Sequence, residues 1–128
     1  MLDESELHMT FQMDFDKLQG LVPAIVQDSD SGAVLMLGFM NAEAVTVTLR
    51  SGYVTFFSRT RLRMWTKGES SGNRLKVVSI FADCDRDTLL VRARVEGAGL
   101  VCHLGSPTCF TQAVDLIPEP VSPAETQL

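Results

Sequence analysis

Three carboxylates and one thiol lie within five consecutive residues, in the segment "DCDRD" at residues 83–87. The carboxylates of Asp83, Asp85 and Asp87 are hard oxygen ligands that suit Mg²⁺, whereas the sulfur of Cys84 is a soft ligand that suits Zn²⁺. On an extended chain the three aspartates share one face, about 6.6 Å apart from one to the next, and Cys84 points to the other face. We therefore predict a magnesium site if the segment bends, with the thiol directed towards a zinc site. The alternative is an acidic turn without a ligand.

The three cysteines of the chain, Cys84, Cys102 and Cys109, form no CxxC pair, so a closed structural zinc site is not expected. Three thiolates with water in the fourth position are instead the arrangement of a catalytic zinc. Such a zinc lowers the pKa of its water to about 7 and produces a hydroxide nucleophile at neutral pH. The alternative is that the cysteines are buried free thiols, which are common in proteins.

One of the two histidines of the chain, His103, directly follows Cys102. Adjacent side chains of an extended segment point to opposite faces, so both residues reach one metal only where the chain bends. A lone histidine usually has a structural, hydrogen-bonded role. The alternative is a general acid or base beside the metal-bound water, a role that suits the ordinary pKa of imidazole.

Positive charge is concentrated in the middle of an acidic chain. The net charge is −5, which argues against a general nucleic-acid binder. Residues 50–76 nevertheless hold seven of the eleven Lys and Arg residues and one acid, Glu69. The window is either a solvated basic face or a site for phosphate groups, which Arg and Lys bind by charge-assisted hydrogen bonds.

A Gly/Ser-rich loop, "TKGESSGN" at residues 66–73, follows part of this basic window. Its glycines allow the backbone to approach a ligand closely, and its polar side chains supply donors. We predict a cradle for a phosphate and its sugar. The candidate residues of the window and loop are Arg59, Arg61, Arg63, Lys67, Ser71, Asn73 and Arg74.

The pattern along the chain predicts an α+β fold that is mostly β, with a mixed or antiparallel sheet and one main helix. Two strand-like runs around the turn at residues 29–32 predict a hairpin, and Asn41 is a candidate N-cap for a helix that ends near Gly52. Residues 89–95 alternate in the period of a half-buried strand. Further strands are expected at residues 53–58, 75–82 and 100–110, and a short helix at 11–19.

One domain is expected from the length of 128 residues, with boundaries at 11–117 between a flexible arm at 1–10 and a disordered tail at 118–128. No secretory signal or apolar run of 18 residues is present, so no membrane partner is expected. Three cysteines are a poor disulfide framework. We therefore expect a cytoplasmic protein.

Five separated blocks in this order resemble the phosphoribosyl-AMP cyclohydrolase family of histidine biosynthesis. They are "PAIVQD", "VLMLGFMNAEA", "FFSRTRLRMWTKGESSGN", "DCDRDTLLV" and "CHLGSPTCF", within residues 21–110. The resemblance implies hydrolysis of the N1–C6 bond in the adenine ring of 1-(5-phosphoribosyl)-AMP, which gives a formimino-aminoimidazole carboxamide ribonucleotide. It also implies an intertwined homodimer that uses one Zn²⁺ per subunit and Mg²⁺.

The same resemblance assigns roles to residues. Cys84 of one chain would bind zinc together with Cys102 and Cys109 of the other, and His103 matches a residue proposed to transfer protons. The magnesium ligands would be Asp83, Asp85 and Asp87. Family members are often fused to a C-terminal pyrophosphohydrolase domain, and from the length of the chain we expect a monofunctional protein.

Two other functions compete with this one. A zinc-dependent nucleobase or nucleoside deaminase also attacks an adenine ring with zinc-activated water, but it carries an H-x-E … P-C-x-x-C pattern. Here His103 is followed by Leu104 and Gly105, and Cys109 has no cysteine three residues later. The third possibility is a non-catalytic module that binds metal or phosphate, in which an open coordination position would serve no purpose.

Overall fold

The computed structural model describes residues 12–118. The predicted arm at 1–10 and all but the first residue of the predicted tail lie outside this range. The described part contains one helix, α1 (Ala42–Ser51), and six strands. The strands are β1 (Val22–Asp28), β2 (Val34–Met40), β3 (Thr55–Ser58), β4 (Arg63–Thr66), β5 (Leu75–Ala82) and β6 (Leu89–Val95).

Four of the strands form one sheet in the order β2-β1-β6-β5. β1 pairs with β2 as the predicted antiparallel hairpin, and β5 pairs antiparallel with β6. The central pair, β1 and β6, is parallel, so the sheet is mixed. β3 and β4 form a separate antiparallel ribbon. The predicted α+β class with a mixed sheet is therefore confirmed.

The core lies on one face of the sheet, where α1 and β3 cover it. Alternate residues of β1 and β6 are fully buried, as their period of two predicts. Phe56 of β3 is also buried and stacks at a tilt on Trp65 of β4, with 5.3 Å between the ring centroids. The buried residues of the two central strands are Val22, Ala24, Val26, Leu89, Val91 and Ala93.

The helix begins and ends where its caps predict. The Asn41 side chain accepts a hydrogen bond from the backbone N–H of Ala44 at 2.8 Å, and Gly52 ends the helix in the left-handed conformation. Thr48 faces the core with 1% exposure. Its hydroxyl donates to the Thr55 carbonyl at 3.2 Å and accepts from the Thr55 N–H at 3.0 Å, so the helix is bonded to the start of β3.

A β-bulge in β5 changes which side chains face the core. The register with β6 shifts between Val77 and Ser79, so Val78 is the extra residue of the bulge. Beyond the bulge Ile80 packs against the core and Phe81 is 55% exposed. From the alternation of the sequence alone we expect Leu75, Val77 and Phe81 to share one face of the strand. This expectation is wrong for Phe81, because one inserted residue exchanges the two faces.

Two other predicted elements are not formed. Residues 12–19 contain turns and a single β-bridge between Leu18 and Leu21 rather than a helix, and residues 100–110 contain turns but no strand. None of the helical structure in the described residues has the length and apolar character that a bilayer-crossing helix requires.

Candidate functional site

The acidic turn, residues 83–87, joins β5 to β6 and is closed by its first carboxylate. Oδ1 of Asp83 accepts hydrogen bonds from the N–H groups of Asp87 at 2.9 Å and Thr88 at 3.1 Å. Arg86 adopts a left-handed conformation with φ of 60°, and its N–H donates to the Asp83 carbonyl at 3.1 Å. One carboxylate oxygen from each of Asp83, Asp85 and Asp87 consequently lies within 4.8 Å of the others. The bend that a shared hard ion requires is therefore present.

Lys17, a residue that the sequence analysis missed, binds this turn. Its ammonium group lies 2.9 Å from Oδ2 of Asp85 and 2.9 Å from Oδ2 of Asp87. The hydrogen bond to Asp85, followed by the one to Asp87, raises the pKa of Lys17 above its ordinary value. The Asp14 N–H also donates to the Arg86 carbonyl at 2.7 Å. No local pattern reveals these contacts, because Lys17 lies 68 residues before Asp85 in the chain.

The donor set of the acidic turn fits a hard divalent cation. Its ligands are carboxylate oxygens, which Mg²⁺ and Ca²⁺ prefer. The turn already binds a positive group, since the Lys17 ammonium donates hydrogen bonds to two of the three carboxylates. The residues present could therefore hold such an ion.

Two of the three thiols lie together. Partial burial is the main cause that raises the pKa of the Cys109 thiol, and the charge of Cys102 and a hydrogen bond with Cys102 act in the same direction. The positive charge of Lys67 acts weakly in the opposite direction. Cys102 and Cys109 thus form a thiol pair with Lys67 close to it.

The thiol pair is positioned by a turn and by the edge of the sheet. The Cys102 N–H donates to the Ser106 carbonyl at 2.9 Å, which closes the turn. The Cys109 N–H donates to the Leu35 carbonyl at 2.8 Å, and the Thr108 hydroxyl donates to the Val34 carbonyl at 2.9 Å. The segment is therefore held against β2 by these bonds, which replace the strand predicted there.

His103 lies on this turn and is exposed. Its imidazole has no hydrogen-bond partner among residues 12–118, so the structural role that a lone histidine usually has is not seen. The turn also supplies the bend that the sequence analysis required for Cys102 and His103 to act at one site.

Cys84 is separate from the thiol pair within one chain. It lies exposed on the acidic turn. In the described range, the three aspartates are the only group of three or more His, Cys, Asp or Glu residues close enough to share an ion. A single chain therefore brings together two thiols of the predicted zinc site and not the third.

The Gly/Ser-rich loop at residues 66–73, here called the basic loop, and the β3–β4 ribbon line a cleft of about 360 Å³, here called the basic cleft. Three of the predicted phosphate ligands, Arg61, Arg63 and Ser71, line it. Trp65 forms part of its wall, and the Lys67 ammonium lies 5.8 Å from the centroid of that ring. Positive charge thus lies in the cleft, from Arg61 and Arg63, and near its Trp65 wall, from Lys67.

Four of the predicted phosphate ligands do not line the basic cleft: Arg59, Lys67, Asn73 and Arg74. Oδ1 of Asn73 accepts a hydrogen bond from the Ala98 N–H at 2.8 Å, so this side chain fixes the loop to the turn after β6. The Arg74 guanidinium lies over the Tyr53 ring at 5.3 Å. The structure thus gives Asn73 a structural contact and places Arg74 on another surface.

Arg59 lines two further clefts together with Phe39. Its guanidinium lies 4.0 Å above the centroid of the Phe39 ring. One of these clefts shares Ser58 and Trp65 with the basic cleft, and the other is lined by Lys17. The three clefts share lining residues in series, from Lys17 to the basic loop, and are together called the groove.

Comparison with known proteins identifies the family. The sequence model described as phosphoribosyl-AMP cyclohydrolase matches residues 36–111. The chain is 63% identical over 99 residues, 77% of its length, to the histidine biosynthesis bifunctional protein HisIE of Bacteroides thetaiotaomicron, and 54% identical over 113 residues, 88% of its length, to that of Yersinia pestis. These matches cover 48% and 53% of the two relatives, so the chain spans about half the length of the curated relatives it matches. The chain belongs to the phosphoribosyl-AMP cyclohydrolase family.

Proposed function

We propose that the protein hydrolyses the N1–C6 bond of 1-(5-phosphoribosyl)-AMP and so opens the adenine ring in histidine biosynthesis. Membership of the cyclohydrolase family supports this activity, and the relatives are named for histidine biosynthesis. The observation that carries the proposal is the position of the basic cleft. Its lining includes Thr66 and Gly68, the neighbours of Lys67 in the chain, and the charge of Lys67 acts on the Cys109 thiol, which supports a phosphate site next to the thiol pair.

The substrate carries two phosphate monoesters, and the groove suits such a molecule. Arg61, Arg63 and Ser71 offer charge-assisted and neutral hydrogen bonds at one end. Arg59 offers a third cation further along the groove, in a cleft that the aromatic rings of Phe39 and Trp65 also line. These rings could pack against a planar base.

The thiols Cys84, Cys102 and Cys109 are the proposed zinc ligands. Zinc held by three thiolates supplies an acidic water molecule at neutral pH. Because Cys84 is separate from the thiol pair in one chain, the proposal requires Cys84 from a second copy, and hence a homodimer. His103 lies on the same turn as Cys102 and has an imidazole without a hydrogen-bond partner in the described residues, so it can exchange a proton with the reacting groups.

The acidic turn is the proposed magnesium site. A divalent cation held by Asp83, Asp85 and Asp87 would lie at the Lys17 end of the groove, where it could offset phosphate charge. The cytoplasmic location remains a prediction.

The activity is tested directly by turnover. Purified protein and phosphoribosyl-AMP should give the ultraviolet change of adenine ring opening, a zinc chelator should abolish it and added zinc should restore it. Absence of turnover by folded, metal-loaded protein would contradict the proposed activity.

The shared zinc site is tested by mixing inactive variants. Cys84→Ser and Cys102→Ser should each be inactive alone. Co-expressed, they should recover about a quarter of the wild-type activity, because half of the dimers are mixed and each mixed dimer has one intact site. The matched control is a mixture of Cys102→Ser with Cys109→Ser, in which every site lacks one thiol. If neither mixture recovered activity, the result would contradict a zinc site shared between chains.

A further inference from the structure

The feature that the proposed function leaves unexplained is the side chain of Lys17. It reaches from the segment before β1 to the acidic turn and donates to Oδ2 of both Asp85 and Asp87. The turn therefore has a positive partner supplied by the chain itself. We propose that Lys17 is an internal counter-ion that competes with a divalent cation for Asp85 and Asp87, so that cation binding displaces its ammonium group.

Competition follows from the distances. The Lys17 ammonium is 2.9 Å from one oxygen of each aspartate. A divalent cation binds carboxylate oxygens at about 2.0–2.6 Å, so on the same two oxygens it would lie within a few ångströms of the ammonium. Two positive groups at that separation repel each other, and both cannot bond the same oxygens at full strength.

Displacement is feasible because the ion pair is exposed to solvent. The Lys17 side chain is 48% exposed, and ion pairs between exposed groups contribute little to stability. The displaced ammonium also has space to enter, since Lys17 lines a cleft of about 330 Å³ together with Phe39 and Arg59. The backbone bond from the Asp14 N–H to the Arg86 carbonyl does not involve the ammonium, so the segment can stay attached while the side chain moves.

This inference rests on the proposed magnesium site, and its test measures cation binding rather than activity. Mn²⁺ is titrated into the zinc-loaded, full-length protein, bound metal is followed by electron paramagnetic resonance, and Mg²⁺ is added as a competitor. Lys17→Ala should bind Mn²⁺ about 3- to 10-fold more tightly than wild type, because a neighbouring positive charge is gone. Lys17→Arg should bind like the wild type.

The matched control is Lys76→Ala, which changes the net charge equally. Lys76 lies seven residues before Asp83 along β5, about 23 Å away on an extended strand, and its ammonium lies over the Tyr53 ring. The Lys76→Ala variant should bind Mn²⁺ with an affinity within about twofold of the wild type, since charges so far apart are screened.

The outcomes separate the inference from the proposed site. Unchanged or weaker Mn²⁺ binding by Lys17→Ala, or an equal gain in Lys76→Ala, overturns the counter-ion role and leaves the cation site intact. No Mn²⁺ binding by either the wild type or Lys17→Ala overturns the cation site itself, and the inference with it.

Discussion

Two glycines of the basic loop have the same backbone conformation but different surroundings, which makes them a matched pair for substitution. Gly68 has φ of 81°, and a Cβ there would lie 2.3 Å from the backbone C and O atoms of Asn73. Gly72 has φ of 82°, and a Cβ there would meet no atom within 4 Å. Alanine at either position therefore adopts an unfavourable left-handed conformation, but only at Gly68 must the backbone also move.

The expected losses of unfolding free energy follow from two effects, the left-handed conformation and the overlap of the added Cβ with the backbone of Asn73. Gly72→Ala bears only the left-handed conformation, which costs about 1 kcal/mol. Gly68→Ala adds the relief of a backbone overlap, for which overpacking costs of about 1–3 kcal/mol are typical. We expect a total of about 3 kcal/mol for Gly68→Ala. The movement of Asn73 should also shift the loop and weaken binding in the basic cleft by about tenfold, since misplaced donors lose their hydrogen bonds.

Both effects can be measured with one intrinsic probe. Trp65 is the only tryptophan of the chain and lines the basic cleft, so its fluorescence reports unfolding in urea and binding of AMP as a phosphate monoester. Measurements belong at one fixed protein concentration, because an oligomer's apparent stability depends on it. Equal stability of Gly68→Ala and Gly72→Ala, or unchanged AMP affinity in Gly68→Ala, would refute the close packing of the loop on Asn73.

Three further substitutions test other contacts. Thr48→Val leaves the buried N–H and C=O of Thr55 without their side-chain partner, so urea unfolding should show a loss of about 1–3 kcal/mol; a loss below 0.5 kcal/mol would contradict this role. Asn41→Ala removes the N-cap of α1 and should cost about 1 kcal/mol in the same measurement, whereas no change would mean that the cap is dispensable. Arg61→Ala should weaken AMP binding by about tenfold, while Arg74→Ala, whose side chain lies over Tyr53, should leave it within about twofold; equal effects would place the phosphate outside the basic cleft.

The parts of the fold that the sequence predicted correctly are those governed by neighbouring residues. The hairpin depends on the turn at residues 29–32, and α1 depends on Asn41 and Gly52 at its ends. The face of β5 was predicted wrongly after Val77, because a bulge depends on the partner strand and not on the period of β5 itself. Likewise, the strand predicted at 100–110 is replaced by bonds from Thr108 and Cys109 to β2, which are contacts between distant parts of the chain.

In the candidate site, too, local contacts could be predicted from the sequence and contacts between distant residues could not. The bend of the acidic turn could be anticipated, because Asp83 bonds to N–H groups only four and five residues later. The pairing of Cys102 with Cys109 without Cys84 could not be read from spacing, since it depends on how the last segment lies against β2. The contact of Lys17 with the acidic turn could not be predicted, because a single lysine in a mixed sequence forms no pattern that indicates a partner 68 residues away.

The parallel pairing of β1 with β6 has a consequence for the nascent chain. β1 ends at Asp28 and β6 begins at Leu89, so about sixty residues must be translated between the two. At about 5–20 residues per second, the ribosome needs roughly 3–12 s for that stretch. During this interval the edge of β1 that will pair with β6 is unpaired, and chaperones or other nascent chains could bind there. The middle of the sheet is thus completed only after most of the polypeptide has been synthesised.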